Sequence, residues 1–173
     1  MNGALGMAGI ALGLAASVLG GVTLVLGVVQ HRSRLVRSGT IYVWLVLAGA
    51  VLSVAAMERA LITRDFSLTF VADNGSAATP ALYNVASLWS ALEGSILLWT
   101  IILAGYLVAT FLWFRRRVQD PIVTWALVVL FTISAFFFLL LAGPANPFGR
   151  VSGAIPTSGS ASRARKRRAT SAV

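Results

Sequence analysis

The chain has no cysteine and a single histidine, and only five of its 173 residues are acidic. The first absence rules out disulfides, thiolate metal sites and thiol nucleophiles. It also means that cysteine usage says nothing about redox compartment. The second excludes a histidine-rich ligand cluster; no Ser-His-Asp set is recognisable around the one histidine, and the few carboxylates form no catalytic pair. Charged residues of both signs make up 11% of the chain, against 58% hydrophobic residues. Ordinary soluble domains carry roughly a quarter charged residues, so most of this chain belongs in lipid.

What charge there is sits unevenly. Arg163, Arg165, Lys166, Arg167 and Arg168 lie within the last eleven positions and account for much of the formal net charge of +9. A basic run of this kind binds nucleic acid or anionic lipid. It has no aromatic residue on which a base could stack, and it follows a membrane body, so no nucleic-acid partner is expected.

A bilayer core about 30 Å thick demands roughly 20 apolar residues per spanning helix, with every backbone hydrogen bond closed within the helix. Four segments qualify: about Leu5 to Val29, Ile41 to Ile62, Leu88 to Phe114 and Ile122 to Ala142. Glu58 and Arg59 blur the end of the second. No Lys or Arg precedes Arg32, and the first apolar stretch is too long for a cleavable signal, so it reads as a retained span. Gly9 and Gly13 within it have the spacing that lets helix backbones approach, although glycine is common in membrane helices generally.

The expected fold is therefore an all-α integral membrane protein of about four transmembrane helices, comprising residues 1–150. Residues 151–173, rich in Gly, Ser and Ala before the basic run, are expected to form a disordered tail. The short basic connections His31 to Arg37 and Arg115 to Arg117 should face the cytoplasm. Both termini and the Thr63 to Ser87 loop would then lie on the periplasmic or extracellular side of a bacterial inner membrane. The basic tail conflicts with that placement. Either the topology differs, or the tail was not selected with the rest, as in a truncated gene or a broken reading frame.

The outward loop contains its own signals. Phe66, Leu68 and Phe70 alternate with Ser67 and Thr69 as in a short extended segment, Asn74-Gly75 reads as a turn, and Thr79-Pro80 as a helix start. A short interfacial helix bending into the third span, with Gly94-Ser95 as the bend, fits this order.

An acidic residue inside a span costs about 2.5 to 3.5 kcal/mol on insertion scales, which marks Glu93. It is read either as a proton relay, cation partner or helix anchor, or as an interfacial carboxylate reaching headgroup water. Trp44, Trp113 and Trp125 flank the basic loops as an interfacial belt would, whereas Trp89 beside Glu93 fits either account. His31, between an apolar span and an arginine-rich loop, reads as a solvated loop residue rather than a haem ligand.

Several of these residues fall into an ordered set. Asp65-Phe66-Ser67-Leu68, Val71-Ala72 and Tyr83 are followed by Leu88-Trp89-Ser90-Ala91-Leu92-Glu93-Gly94-Ser95-Ile96-Leu97-Leu98-Trp99. Asn146-Pro147-Phe148-Gly149-Arg150 follows the fourth span. The set resembles the CcmF/NrfE family of cytochrome c-type biogenesis proteins, in which a DFS…YVA element, a tyrosine, a WG-x-x-EGS-x-LLW element and an NPF-x-R segment occur in this order. Ser90 replaces the family's usual glycine, Leu92 a frequent histidine and Phe70 the usual tyrosine. The tryptophan-rich WWD segment and the haem-ligating histidines of the family have no counterpart here, and His31 matches none of them.

The resemblance implies cytochrome c maturation, with haem as the cofactor of the full-length family and none for this chain alone. Beyond membrane lipid, it implies a haem chaperone, apocytochrome c and other maturation subunits as partners. It points to Asp65, Phe66, Tyr83, Trp89, Glu93, Gly94, Ser95, Trp99, Asn146, Pro147 and Phe148 as motif positions with a functional or structural role, and to no catalytic or metal-binding residue. A truncated haem lyase subunit is the first expectation. The rivals are a noncatalytic membrane subunit packed against a separate haem-handling partner, and a fragment of an unrelated transporter.

Overall fold

A computed structural model describes residues 2–63 and 92–149. Within them lie α1 (Asn2–Val29), α2 (Ser33–Gly39), α3 (Ile41–Ile62), α4 (Leu92–Phe114) and α5 (Pro121–Ala142), with a single 3-10 turn at Arg115–Arg117. Four helical stretches are long and apolar enough to cross a membrane, with α2 and α3 joined into one of 30 residues. At about 1.5 Å per residue, even the 22-residue α5 exceeds a hydrocarbon core of about 30 Å. The second span matches its expected bounds. The first starts three residues earlier than expected and the fourth one residue earlier, and the third is described from Leu92. The expected extended segment, turn and interfacial helix between α3 and α4 lie outside the described residues, as does the tail. Gly94 and Ser95 sit within the first turn of α4, and any bend there involves residues not described.

Local chemistry accounts for the ends. The Asp120 carboxylate accepts the Ile122 N–H at 3.0 Å, and Pro121 occupies the first turn, where a missing N–H costs nothing. At the other end of α1, His31 adopts a left-handed backbone conformation, φ 52°. The Arg32 N–H bonds to the Gly27 carbonyl at 2.9 Å and the His31 N–H to that of Val28 at 3.2 Å. This is the Schellman closure, with histidine in the place glycine usually takes.

The helices form a four-cornered bundle. α1 packs along α3 and α5, and α4 packs along the same two, so α1 and α4 occupy one diagonal. The interior face of α1 is Gly6, Gly9, Ile10, Gly13, Ala16, Ser17, Gly20, Leu24 and Gly27, an alternating three- and four-residue spacing that keeps one seam facing its neighbours. α5 answers with Leu127, Phe131, Ser134, Phe138 and Leu141. Where α1 has glycine, α5 has rings: a Cβ at Gly13 would collide with Phe138, and one at Gly20 would lie 2.6 Å from Phe131. Against α3 the contact is backbone on backbone. A Cβ at Gly49 would stand 2.6 Å from the Gly13 nitrogen and 2.7 Å from the Gly9 carbonyl oxygen, so the Gly9/Gly13 pair is a true helix-packing surface.

Buried hydroxyls are satisfied without disturbing this packing. Ser17 donates to the Gly13 carbonyl at 2.7 Å, Thr100 to that of Ile96 at 2.8 Å, and Ser53 to that of Gly49 at 2.9 Å with a longer reach to Gly6 on α1. Among the described residues, no buried side-chain polar atom lacks a partner. Large apolar side chains such as Leu19, Val22, Val129 and Leu139 are exposed over the outer faces, which suits a surface bathed in lipid.

Candidate functional site

The motif residues that the structure describes, Glu93, Gly94, Ser95 and Trp99 with Asn146, Pro147 and Phe148, lie toward the end of the bundle opposite Arg115–Arg117, where α4 begins and α5 ends. The Asn2 side-chain amide, reaching the Thr63 hydroxyl at 3.4 Å, places the start of α1 and the close of α3 at the same end.

After α5 the chain turns at once. The Gly143 N–H bonds back to Leu139 at 3.1 Å and the Ala145 N–H to Leu140 at 2.9 Å, closing the helix before Pro144 and the following residues leave it. Asn146-Pro147-Phe148-Gly149 is then a β-turn of the expected composition: asparagine first, proline second, glycine last. The Asn146 side-chain oxygen accepts the Phe148 N–H at 2.9 Å, and the Gly149 N–H reaches the Asn146 carbonyl at 3.4 Å. The turn aims Phe148, only 4% exposed, into the bundle. There its ring fills the notch left by Gly6 on α1, where any Cβ would overlap it. Asn146, Pro147 and Phe148 thus act as a unit: a capped turn that plugs an aromatic ring into the Gly6 notch of α1.

The first turns of α4 divide by face. Gly94, Leu97 and Thr100 are buried, whereas Leu92 and Trp99 are 71% and 59% exposed on the lipid side. Glu93 precedes Leu97 by four residues, borders the buried face and is half-buried. Among the described residues it has no ion-pair partner and no hydrogen bond to the Asn146–Gly149 turn. Ser95 is half-buried beside it. Asp65, Phe66, Tyr83 and Trp89 lie outside the described residues. Trp44, Trp113 and Trp125 are all exposed near the arginine-bearing connections, as an interfacial belt requires.

His31, whose backbone closes α1, is exposed at the arginine end, whereas Met7 and the fully buried Met57 lie toward the opposite end of the bundle, so the described histidine is not paired with a described methionine as axial ligands of one haem. Among the described residues no three His, Cys, Asp or Glu side chains come together.

No protein-family model matches the chain. Individual proteins do. The cytochrome c-type biogenesis protein CcmF of Escherichia coli K12 is 31% identical over 133 residues, 77% of this chain and 20% of that protein. CcmF of Pseudomonas fluorescens is 35% identical over 67% of this chain and 17% of that one. A solved structure of the cytochrome c heme lyase CcmF superposes with a TM-score of 0.78 at 35% identity, covering 89% of this chain and 26% of its own. The chain belongs to the CcmF/NrfE family. It spans about a fifth of the length of the CcmF proteins it matches. The NrfE branch is represented by the Haemophilus influenzae protein, 31% identical over 58% of this chain.

Sequence reasoning singled out Asn146 to Phe148 but did not see what they touch. It also missed Gly6, Gly20, Phe131 and Phe138. The signal was present, since Gly6, Gly13, Gly20 and Gly27 recur every seven residues.

Proposed function

We propose that this chain serves cytochrome c maturation as part of a membrane haem lyase, the machinery that handles haem and joins it to apocytochrome c. The observation carrying this reading is the superposition on CcmF at 35% identity over 89% of the chain. Within that machinery the four helices are a supporting frame. Their interior is closed by glycine notches and phenyl rings, and haem ligands come from elsewhere in the assembly. A haem chaperone, apocytochrome c and further maturation subunits are its partners.

The frame sits in a bacterial inner membrane with the arginine end in the cytoplasm. Arg32, Arg34, Arg37, Arg115, Arg116 and Arg117 gather at that end against Asp120 alone among the described carboxylates, which supports this orientation. The Asn146–Gly149 turn and the start of α4 then face the periplasm, where they meet the remaining parts of the lyase. Deleting the gene in its source organism should remove covalently bound haem from the c-type cytochromes, read by haem-peroxidase staining of denaturing gels. Unchanged staining would overturn the proposal.

A further inference from the structure

The arginine end is not uniformly covered by charge. A cleft of ≈ 420 Å³ opens between the α2–α3 junction and the connection from α4 to α5. Arg37 and Thr40 line it from one side, and Arg115, Arg116 and Gln119 from the other. Its apolar lining is Val36, Phe111 and Val118, with Val36 and Val118 buried. A second hollow, lined by Arg34, Arg37, Ser38, Thr40 and Ile41, shares Arg37 and Thr40 with the first.

No carboxylate lines either space. Asp120, the acid of this end, is engaged as the cap of its own helix. The Thr40 hydroxyl is likewise committed, donating to the Arg37 carbonyl at 2.8 Å. Guanidinium groups from two separate chain segments therefore face a common cleft with no counter-charge from the described protein. Bringing like charges together is unfavourable, and an anion between them reverses the sign. Guanidinium also matches the geometry of a phosphate group, whose oxygens accept paired N–H donors.

The apolar lining decides which phosphate. Phe111 of the cleft meets Trp44 of α3 edge-on, with centroids 6.5 Å apart and rings at 88°. Trp44 is half-exposed, and Ile41, which lines the adjoining hollow, is exposed. Cations at the head and an aromatic and aliphatic path below them, at the end of membrane-crossing helices, suit an amphipathic anion. We propose that this cleft binds the phosphodiester headgroup of an anionic phospholipid, held by Arg37, Arg115 and Arg116, with its acyl chains lying along α3 and α4 over Trp44 and Phe111.

The test uses the full 173-residue chain in neutral detergent, with retained lipid counted by native mass spectrometry during titration with phosphatidylglycerol, phosphatidylcholine or inorganic phosphate. The variants are Arg37→Gln/Arg115→Gln in the cleft and Arg32→Gln/Arg117→Gln outside it, which remove equal charge from the same two connections. The expected result is saturable phosphatidylglycerol binding, weakened about tenfold or more in the cleft variant and by less than about threefold in the control. Phosphatidylcholine binding as tightly would overturn the proposal, as would equal losses in the two variants, which would mean diffuse charge. Displacement of the lipid by millimolar inorganic phosphate would show a free-anion site instead. Helicity and elution volume, unchanged in both variants, guard against misfolding.

Discussion

The ring of Phe148 occupies the space that a side chain at Gly6 would fill. Two residues 142 positions apart are thus one packing unit, and the Asn146 cap that orients the ring belongs to it. Because lipid tails are as apolar as the bundle interior, such shape matching rather than water exclusion holds the helices together.

That relationship predicts a reciprocal mutational pattern. Gly6→Leu should expel the ring and destabilise the bundle by about 1–3 kcal/mol, the usual cost of overpacking. Phe148→Ala should leave a void of comparable cost. In Gly6→Leu/Phe148→Ala the new side chain enters the vacated space, so the double variant should be clearly more stable than the sum of the two singles. Reversible unfolding in mixed micelles measures the coupling, and strict additivity would show that the two residues are independent.

Glycine should matter by position and not by number. Gly49→Ala forces a methyl against the backbone of Gly9 and Gly13 and should destabilise the α1–α3 pair by a few kcal/mol. A Cβ at Gly105 meets nothing within 4 Å. Gly105→Ala should therefore be neutral, or stabilising by up to about 1 kcal/mol through helix propensity. The same unfolding measurement on both variants separates these outcomes.

How much of this was readable beforehand follows from what each feature depends on. The core of the second span, Ile41 to Ile62, was legible because hydropathy is a local property, whereas its extension by α2 into one stretch of 30 residues was not. Gly9 and Gly13 could be noted but not assigned, since a close-approach pair and an ordinary membrane glycine look alike until a partner helix is placed. The seven-residue glycine series was legible as a pattern. Its meaning required Phe131 and Phe138 to arrive from a helix more than a hundred residues away. Asn146-Pro147-Phe148 was legible only as a family-like segment, whereas the turn it makes and the destination of Phe148 emerge from the fold. The motif positions Asp65, Phe66, Tyr83 and Trp89 are known from sequence resemblance alone.

His31 should behave as a backbone residue. Its left-handed φ closes α1, and glycine or asparagine adopts that conformation readily. His31→Gly and His31→Asn should retain or raise stability, while His31→Val should lose about 1–2 kcal/mol, the cost of a left-handed conformation. A loss in His31→Gly matching that in His31→Val would point to a role for the imidazole itself.

The orientation proposed from the arginines can be read directly because the chain contains no cysteine, so a single introduced thiol has no background. Ser33→Cys places a thiol at the exposed start of α2 beside Arg32 and Arg34. Ser76→Cys places one in the connection between α3 and α4. Since α3 carries the chain across the bundle, the two thiols must lie on opposite sides of the membrane if α3 spans it once. A membrane-impermeant maleimide added to intact cells should mark Ser76→Cys and leave Ser33→Cys unmarked until the membrane is opened. The reverse pattern would place the arginines outside, against the charge rule on which the orientation rests. It would also turn the Asn146–Phe148 turn and the start of α4 toward the cytoplasm, away from the side on which the proposed haem-lyase role requires them.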